Sequence, residues 1–161
     1  GRFQVINKGL FITNLCPLLA QYKLIRFYRY VDDCLVNYNN SSTLEELFEA
    51  FNTCHENIKF TVEKEQGGSI NFLDITIKRY ENKFVTKVYH KESLGDTYIN
   101  IKSFQPWCHK SITWRNFFRR ALELSDIPED LNNEVRYIIE TGIKNGYSEK
   151  QMETWYKELG F

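Results

Sequence analysis

The amino-acid sequence predicts an α+β fold: an antiparallel sheet with one covering helix, followed by a lobe made of helices. Up to about residue 89, apolar and polar side chains mostly alternate, which is typical of strands that bury one face. Beyond that point, apolar residues recur every three or four positions, which indicates amphipathic helices. The chain has 161 residues and is 42% hydrophobic, enough to bury a core in one domain or in two small lobes.

The first predicted element is a hairpin with two aspartates at its tip. Aromatic and β-favouring residues predict strands near 26–31 and 34–39, separated by Asp32 and Asp33. Aspartate is common in turns, so a solvated hairpin tip is one interpretation. Adjacent carboxylates on a rigid hairpin are also suitable Mg²⁺ ligands, as two-metal phosphoryl transfer requires. Because side chains alternate along a strand, one aspartate can face the metal while the other lies beside it.

One helix and further strands follow the hairpin. Ser42 and Glu45 form a capping box ahead of an amphipathic helix predicted over residues 43–55. Alternating apolar residues predict the next elements, which are a strand at 58–62, a turn at 66–69, a strand at 73–77, a turn at 81–83 and a strand at 84–89.

Three helices are predicted in the second part of the chain. The first covers roughly residues 110–124, and the second opens at Pro128 and stops at Asn145-Gly146. Ser148 and Gln151 form a second capping box at the start of the last helix. The predicted organisation is therefore a sheet region at 1–89 and a helical region at 90–161.

Charge is distributed in blocks although the formal net charge is zero. Residues 78–120 carry ten Lys and Arg against three acids, whereas both neighbouring blocks are acidic. Such a basic block is a candidate phosphate-contacting surface. The alternative is a solvated face balanced by the acidic helices. The basic residues that could follow a phosphate backbone are Lys87, Lys91, Lys102, Lys110, Arg115, Arg119 and Arg120.

The remaining composition excludes several other classes. The four cysteines are far apart and form no Cys-x-x-Cys pair, which favours reduced core thiols over a zinc site or a disulfide scaffold. No apolar run is long enough to cross a bilayer and the first residues show no signal-peptide pattern, so we expect no membrane partner. Met152 is the only methionine, so we expect the chain to be a fragment of a longer reading frame.

Several short segments, taken in order, resemble the C-terminal part of a reverse transcriptase from Penelope-like retroelements. They are Arg29-Tyr30-Val31-Asp32-Asp33, Ile58-Lys59-Phe60-Thr61-Val62-Glu63, Ile70-Asn71-Phe72-Leu73-Asp74-Ile75, Tyr89-His90-Lys91, Gly95, Tyr98-Ile99-Asn100, residues 103–106, His109-Lys110, Arg120-Ala121 and Asn145-Gly146-Tyr147. The matching segments cover nearly all of residues 26–159.

The resemblance implies a function and a set of site residues. Residues 1–89 would be the later half of a polymerase palm, and residues 90–161 a helical thumb that holds the template–primer duplex. Asp32 and Asp33 would be catalytic ligands of a two-Mg²⁺ site for RNA-directed DNA polymerisation. The implied partners are an RNA template, a DNA primer and a dNTP, inside the cell and in the nucleus. Residues implied or favoured for contact with primer and nucleic acid are Tyr30, Phe72, Leu73, Lys91, Lys110, Arg115, Arg119 and Arg120.

The chain also departs from that family. A further palm aspartate would lie upstream of Gly1, and residues 9–20 differ from the family's nucleotide-site segment, so we expect the isolated chain to be inactive. The alternative function is a non-catalytic nucleic-acid-binding module of helix-turn-helix type on a remnant sheet, with its turn at residues 145–148. Because the last helix carries three Glu and two Lys, we do not expect it to enter a groove. A structural domain with an incidental Asp-Asp turn is the third possibility.

Overall fold

The structure of the chain is a computed structural model. It describes residues 24–31, 33–38, 44–53, 56, 59–91 and 98–160. The elements in chain order are β1 Leu24–Tyr30, β2 Asp33–Tyr38, α1 Leu44–Thr53, β3 Ser69–Phe72, β4 Ile75–Tyr80, β5 Lys83–Val88, α2 Trp107–Leu124, α3 Pro128–Lys144 and α4 Glu149–Lys157. The predicted α+β class, with antiparallel strands and a helical C-terminal part, is confirmed. Among the described helices, none is both long and apolar enough to span a bilayer.

The first hairpin forms where the aromatic strand pattern predicts it. Strands β1 and β2 pair antiparallel, with Tyr30 opposite Asp33 at the end of the ladder. The connection is two residues long, and Val31 has a φ of 49°, in the left-handed region that few residues with branched side chains adopt. The Arg29 Nε–H donates to the Val31 carbonyl over 2.9 Å, which holds this turn.

The segment after α1 corrects the prediction of a strand at 58–62. Its described part, within residues 59–65, has no regular secondary structure. Phe60 is buried edge-to-face against Phe51 of α1, with ring centroids 5.7 Å apart. The Phe60 backbone N–H donates to the Asn52 side-chain oxygen over 2.7 Å. Alternating burial therefore arises here from packing against a helix, and the sequence pattern of such a segment is the same as that of a strand.

Two turns frame the short strand β3. At the predicted turn, Gln66 and Ser69 exchange two backbone hydrogen bonds, and both intervening glycines have positive φ, the geometry of a tight hairpin turn. After β3, Leu73 has a φ of 53° and is exposed, so the chain turns there. The prediction of one continuous strand over 73–77 is wrong because this turn separates Leu73 from β4.

The chain divides into two compact units, residues 1–73 and 74–161. The boundary predicted at residues 89 and 90 stays a prediction. Within the second unit, the β4–β5 hairpin is bonded to the connection between α2 and α3. The Thr86 N–H donates to the Asp126 carboxylate over 2.6 Å, and the Asp126 N–H donates to the Thr86 carbonyl over 3.0 Å. The Thr86 hydroxyl also donates to the Leu124 carbonyl over 2.9 Å.

The three C-terminal helices enclose an aromatic core. Its buried members come from all three helices and from the turn between α3 and α4. They are Trp114, Phe118, Ala121, Ile138, Tyr147, Met152 and Trp155. Tyr147 contacts both tryptophan rings, with centroids 5.3 Å from Trp114 and 5.7 Å from Trp155. The apolar stripes of the helices are thus core residues, as their spacing predicts.

The cysteine prediction is confirmed for one residue and wrong for another. Cys34 is buried on β2, whereas Cys108 is exposed at the start of α2. Position 108 lies on the first, solvent-facing turn of its helix, where the amphipathic stripe has not yet begun. Cys16 and Cys54 lie outside the described residues.

Candidate nucleic-acid interface

Helix α3, its connection and α4 form a helix-turn-helix unit. The Gly146 N–H donates to the Ile143 carbonyl and the Tyr147 N–H to the Gly142 carbonyl, over 2.9 and 3.1 Å. This pair of bonds is the Schellman arrangement that ends a helix at a left-handed residue. Gly146 has a φ of 93°, and a Cβ at this position would lie 2.7 Å from Ile101 Cγ2. Glycine is therefore required here by both conformation and space.

Helix α4 begins at Ser148 and crosses close to α3. The Ser148 hydroxyl accepts a hydrogen bond from the Gln151 N–H over 3.2 Å, which confirms the N-cap part of the predicted capping box. A Cβ at Gly142 would lie 2.5 Å from the Met152 sulfur, so glycine permits the close approach of the two helices. Met152 is fully buried at this crossing.

The outward face of α4 carries two lysines. Met152 and Trp155 are buried, so the opposite face is the one that carries Lys150, Thr154 and Lys157, which are exposed. The Lys157 ammonium lies 3.1 Å from the Glu153 carboxylate, and Glu158 is paired with Arg115 of α2. Each of these pairs cancels one cation as well as one acid.

Several of the basic residues in 78–120 are engaged with acidic side chains. Lys78 and Lys87 lie 3.7 and 3.9 Å from the Asp130 carboxylate at the start of α3. Arg120 lies 3.3 Å from the Asp74 carboxylate, and its guanidinium also donates to the Asp74 carbonyl. Arg115 is likewise paired with Glu158. For these four residues, the contacts favour the alternative interpretation, in which the basic block is balanced by acidic side chains.

The predicted nucleic-acid residues therefore divide into separate environments. Lys91 and Arg119 are exposed, and Arg119 donates to the Asn116 side chain over 3.3 Å. Lys110 is only 6% exposed, and its ammonium donates to the carbonyls of Ile101 and Ser103 over 2.6 and 2.7 Å. A charge that is buried and bonded in this way is not presented to a phosphate, so we leave Lys110 out of the proposed interface.

His90, two residues after β5, contacts α3. Its Nε2 lies 2.9 Å from both oxygens of the Glu134 carboxylate, and its ring lies 4.2 Å from that of Tyr137. This contact adds to the Thr86–Asp126 bonds in holding the β4–β5 hairpin beside α3.

The residues expected for polymerase chemistry lie in the first unit. Tyr30 is exposed at the end of β1 and Asp33 is half-buried at the start of β2, while Asp32 lies outside the described residues. Phe72 is buried in β3 and Leu73 is exposed in the following turn. Within the described part of the chain, no three His, Cys, Asp or Glu side chains cluster in a way that could hold a metal ion.

Beside the hairpin tip, the Cys34 thiol is unusually hard to ionise. Burial raises its pKa from 9.0 to about 11; the Asp33 carboxylate adds to the rise, and the nearby Arg29 guanidinium opposes it. In the same unit, the pKa of Glu45 is lowered by two contacts. The largest single contribution is a hydrogen bond from the backbone N–H of Glu45 itself, and the Lys64 ammonium, 3.3 Å away, adds to it. Glu45 thus stabilises the first turn of α1 as an anion.

Comparison with known proteins bears on the second unit. Residues 97–157 match the family model described as the animal helix-turn-helix domain. The matched range begins before α2 and ends with α4, so it contains all three helices and the aromatic core. No curated protein and no solved structure gives a significant match to the chain.

For two residues of this region, the sequence did not predict the contacts that the structure shows. Asn145 is buried, and its side chain donates to the Thr141 carbonyl and accepts from the Tyr98 N–H, over 2.9 and 3.2 Å. Gly142 sits at the helix crossing. The available signals were a polar residue directly before a helix-ending glycine and a glycine on the apolar face of α3.

Proposed function

We propose that residues 97–157 form a nucleic-acid-binding helix-turn-helix domain, with α4 as the helix that lies against the duplex. This proposal rests on one observation, which is that the family match and the helix-turn-helix geometry fall in the same segment. The region matched by the helix-turn-helix family model contains two helices joined by a tight, glycine-terminated turn. In such motifs, the second helix contacts base edges from its N-terminal part and the surrounding residues contact phosphates.

The exposed face of α4 supports this role. Lys150 and Thr154 lie one turn apart on that face. The Lys150 ammonium can donate hydrogen bonds to base edges or phosphate oxygens, and the Thr154 hydroxyl, which donates to the Lys150 carbonyl over 2.7 Å, can accept one from a base edge. Lys157 continues the same stripe, and Arg119 of α2 adds an exposed cation in the same domain. With about three phosphate contacts, the logarithm of the binding constant should fall with the logarithm of salt with a slope of roughly −3.

The first experiment tests α4 directly. Binding of the full chain to a labelled DNA duplex is followed by fluorescence anisotropy across a salt series. Lys150→Ala with Lys157→Ala should weaken binding and reduce the salt slope by about one to two units, since Lys157 is paired with Glu153. The matched control is Lys59→Ala with Lys64→Ala, which removes two exposed lysines from the first unit and should leave the slope unchanged. An equal slope in the α4 variant and the wild type would refute the role of α4.

A second comparison separates two neighbouring arginines of α2. Arg119→Ala should lower the salt slope by about one unit, because this exposed guanidinium can reach a phosphate. Arg115→Ala should lower it less, since Arg115 is paired with Glu158. If Arg115→Ala has the larger effect, Glu158 releases its partner on binding, and the basic surface extends further than we propose.

A second candidate is that the chain forms part of a larger RNA-directed DNA polymerase. The observation that favours it is the β1–β2 hairpin, in which aromatic β1 leads to a two-residue connection and Asp33 directly opposite Tyr30. In this proposal, Asp32 and Asp33 would hold Mg²⁺, and the metal would align a primer hydroxyl with the incoming triphosphate. Tyr30 and Leu73 would contact the primer as exposed apolar surfaces. The helix-turn-helix domain would then hold the template–primer duplex.

Primer extension tests the polymerase candidate. The chain alone should not extend a DNA primer on an RNA template with Mg²⁺ or Mn²⁺, because one pair of carboxylates is an incomplete two-metal site. The chain joined to upstream coding sequence with a further palm aspartate should extend the primer, and Asp32→Asn should abolish this. If the extended chain is inactive while still binding the duplex, the binding module is the better description.

A further inference from the structure

The loop that precedes α2 is fixed to the helix-turn-helix unit. The Ile101 N–H donates to the Asn145 carbonyl over 3.0 Å, and the Tyr147 hydroxyl donates to the Ile99 carbonyl over 2.9 Å. The Tyr98 N–H donates to the side chain of the same Asn145. Residues 98–101 are thus attached to the turn between α3 and α4 by three hydrogen bonds.

The next part of the loop is held from its other side by a buried lysine. The Lys110 ammonium donates to the carbonyls of Ile101 and Ser103, which brackets the loop around Lys102. The Lys102 N–H donates to the Asn100 side chain over 2.9 Å, and the Ser103 N–H to the Asn100 carbonyl over 3.0 Å. Every one of these bonds shapes the backbone, and none of them uses the side chain of Lys102 or Phe104.

Phe104 projects from this fixed loop into solvent. Its relative exposure is 107%, compared with 46% for the exposed Phe84. Trp107, three residues later, is the first residue of α2 and is 52% exposed. The centroid of its ring lies 5.8 Å from that of Trp155 on α4. A phenyl ring held out on an ordered backbone can be buried by a ligand at little further cost in conformational entropy.

The charges in and after the loop indicate which class of ligand would contact Phe104. Residues 97–122 contain no Asp or Glu, and Lys102 stands two positions before Phe104. An apolar ring beside an exposed cation, in a segment without acids, suits a polyanion that also offers flat aromatic faces. Nucleic acid has both properties, and stacking of bases on aromatic side chains with nearby cations is how single strands are bound.

We infer that Phe104 stacks on an unpaired base at the end or junction of the nucleic acid bound by α4, while Lys102 contacts the neighbouring phosphate. This inference rests on the proposed binding function and refines its substrate to a duplex with a single-stranded extension. A blunt duplex is a weaker ligand for the ring because its bases are already stacked on one another.

The experiment compares two labelled duplexes that differ only in a short single-stranded overhang. Affinity of the full chain for each is measured by anisotropy, for wild type, Phe104→Ala and Phe104→Trp. Phe104→Ala should weaken binding to the overhang duplex by roughly five- to 150-fold, the range seen when a stacking aromatic is removed. Binding to the blunt duplex should be unchanged, and Phe104→Trp should retain the overhang preference. Tyr80→Ala, which removes another exposed aromatic, is the matched control and should change neither affinity.

A second readout reports stacking and the phosphate contact. A fluorescent base analogue at the first unpaired position should be quenched on binding to the wild type and less quenched by Phe104→Ala. Lys102→Ala should reduce the salt slope for the overhang duplex by about one unit. Phe104 packs on nothing that the substitution would disturb, so the circular dichroism spectrum and melting temperature of Phe104→Ala should match the wild type.

The possible failures are distinguishable. If Phe104→Ala binds both duplexes as the wild type does, the inference is overturned while the binding function stands. If it weakens both duplexes equally, the ring inserts into paired DNA and the inference is also overturned. If the α4 variants bind normally but Phe104→Ala still removes the overhang preference, the stacking site stands and the role of α4 falls. Self-association that Phe104→Ala abolishes would assign the ring to a second copy of the chain and overturn the inference.

Discussion

The β1–β2 hairpin and the helical lobe α2–α4 carry their functional signals in different ways. In the hairpin, the signal lies in five consecutive residues around Asp32 and Asp33, and the turn depends on local backbone geometry. In the lobe, the signal is distributed over residues 97–157, and its turn is held by residues from three segments. A short motif can thus be recognised without its partners, whereas a helix-turn-helix unit is defined only together with the core that positions it.

The two regions also differ in what they need from outside. The hairpin sequence contains one adjacent pair of aspartates, and in the polymerase proposal a further carboxylate would have to come from another strand. The lobe contains its own core, its own turn and its own outward helix face within the described residues. This difference is why binding by the lobe is our main proposal and polymerisation by the hairpin our second.

The largest expected effect tests whether the lobe depends on its shared aromatic core. Phe118 is fully buried in α2 and its ring lies 5.3 Å from that of Tyr156 on α4. Phe118→Ala should lower the free energy of unfolding by about 3–5 kcal/mol, from lost burial and the cavity left behind. Urea unfolding followed by tryptophan fluorescence measures this in the lobe, because all three tryptophans lie in α2 and α4.

The control for this variant lies in the same helix. Ile112 is exposed on α2, so Ile112→Ala should change stability by no more than about 0.5 kcal/mol. Similar losses in both variants would mean that α2 is not ordered by its core face. The proposed position of α4 would then lose its support.

An intermediate effect sharpens the assignment of charges in the lobe. Lys110→Met should lower the free energy of unfolding by about 1–3 kcal/mol, because the loop carbonyls lose their donor. Lys102→Met, in the same loop but exposed, should be within about 0.5 kcal/mol of the wild type. Thermal and urea unfolding measure the difference. Lys110→Met should also leave the salt slope of duplex binding unchanged, and a drop of one unit would restore Lys110 as a phosphate contact.

The smallest effect concerns the hairpin. Because burial raises the pKa of Cys34 to about 11, its reactive thiolate is scarce, and alkylation at pH 8 should be about a hundredfold slower in the folded chain than in urea. Peptide mass spectrometry after timed iodoacetamide treatment measures the rate, with exposed Cys108 as the internal comparison. Equal rates at Cys34 in both conditions would show that β2 does not bury this side chain.

The same pKa shift predicts how the stability of the hairpin depends on pH. The folded state holds the Cys34 proton more tightly than the unfolded state, whose pKa is near the ordinary value of 9.0. The corresponding stabilisation is complete below pH 9 and declines as the pH rises from 9 towards 11. Cys34→Ser should reduce this decline, and an unchanged pH profile would assign the decline to other groups.

The sequence by itself determined the features that depend on neighbouring residues. The Ser148 cap, the glycine-ended turn at Gly146 and the turn at 66–69 were all predicted where the structure places them. Each involves groups within a few positions of one another, so the residue types carry the information directly. The helices α2, α3 and α4 could also be predicted from neighbouring residues, because an amphipathic helix shows an apolar residue every three or four positions on the side that faces the core.

Only the tertiary structure decided the features that depend on distant partners. The segment at 58–62 has the pattern of a strand, but α1 supplies the surface that Phe60 packs against. Lys110 is buried because two loop carbonyls surround its ammonium, and Arg115 is paired because Glu158 folds back beside it from 43 residues away. The full exposure of Phe104 follows likewise from the bonds that hold its loop. Burial and pairing are set by groups far apart in the chain, and no local pattern records which of them will meet.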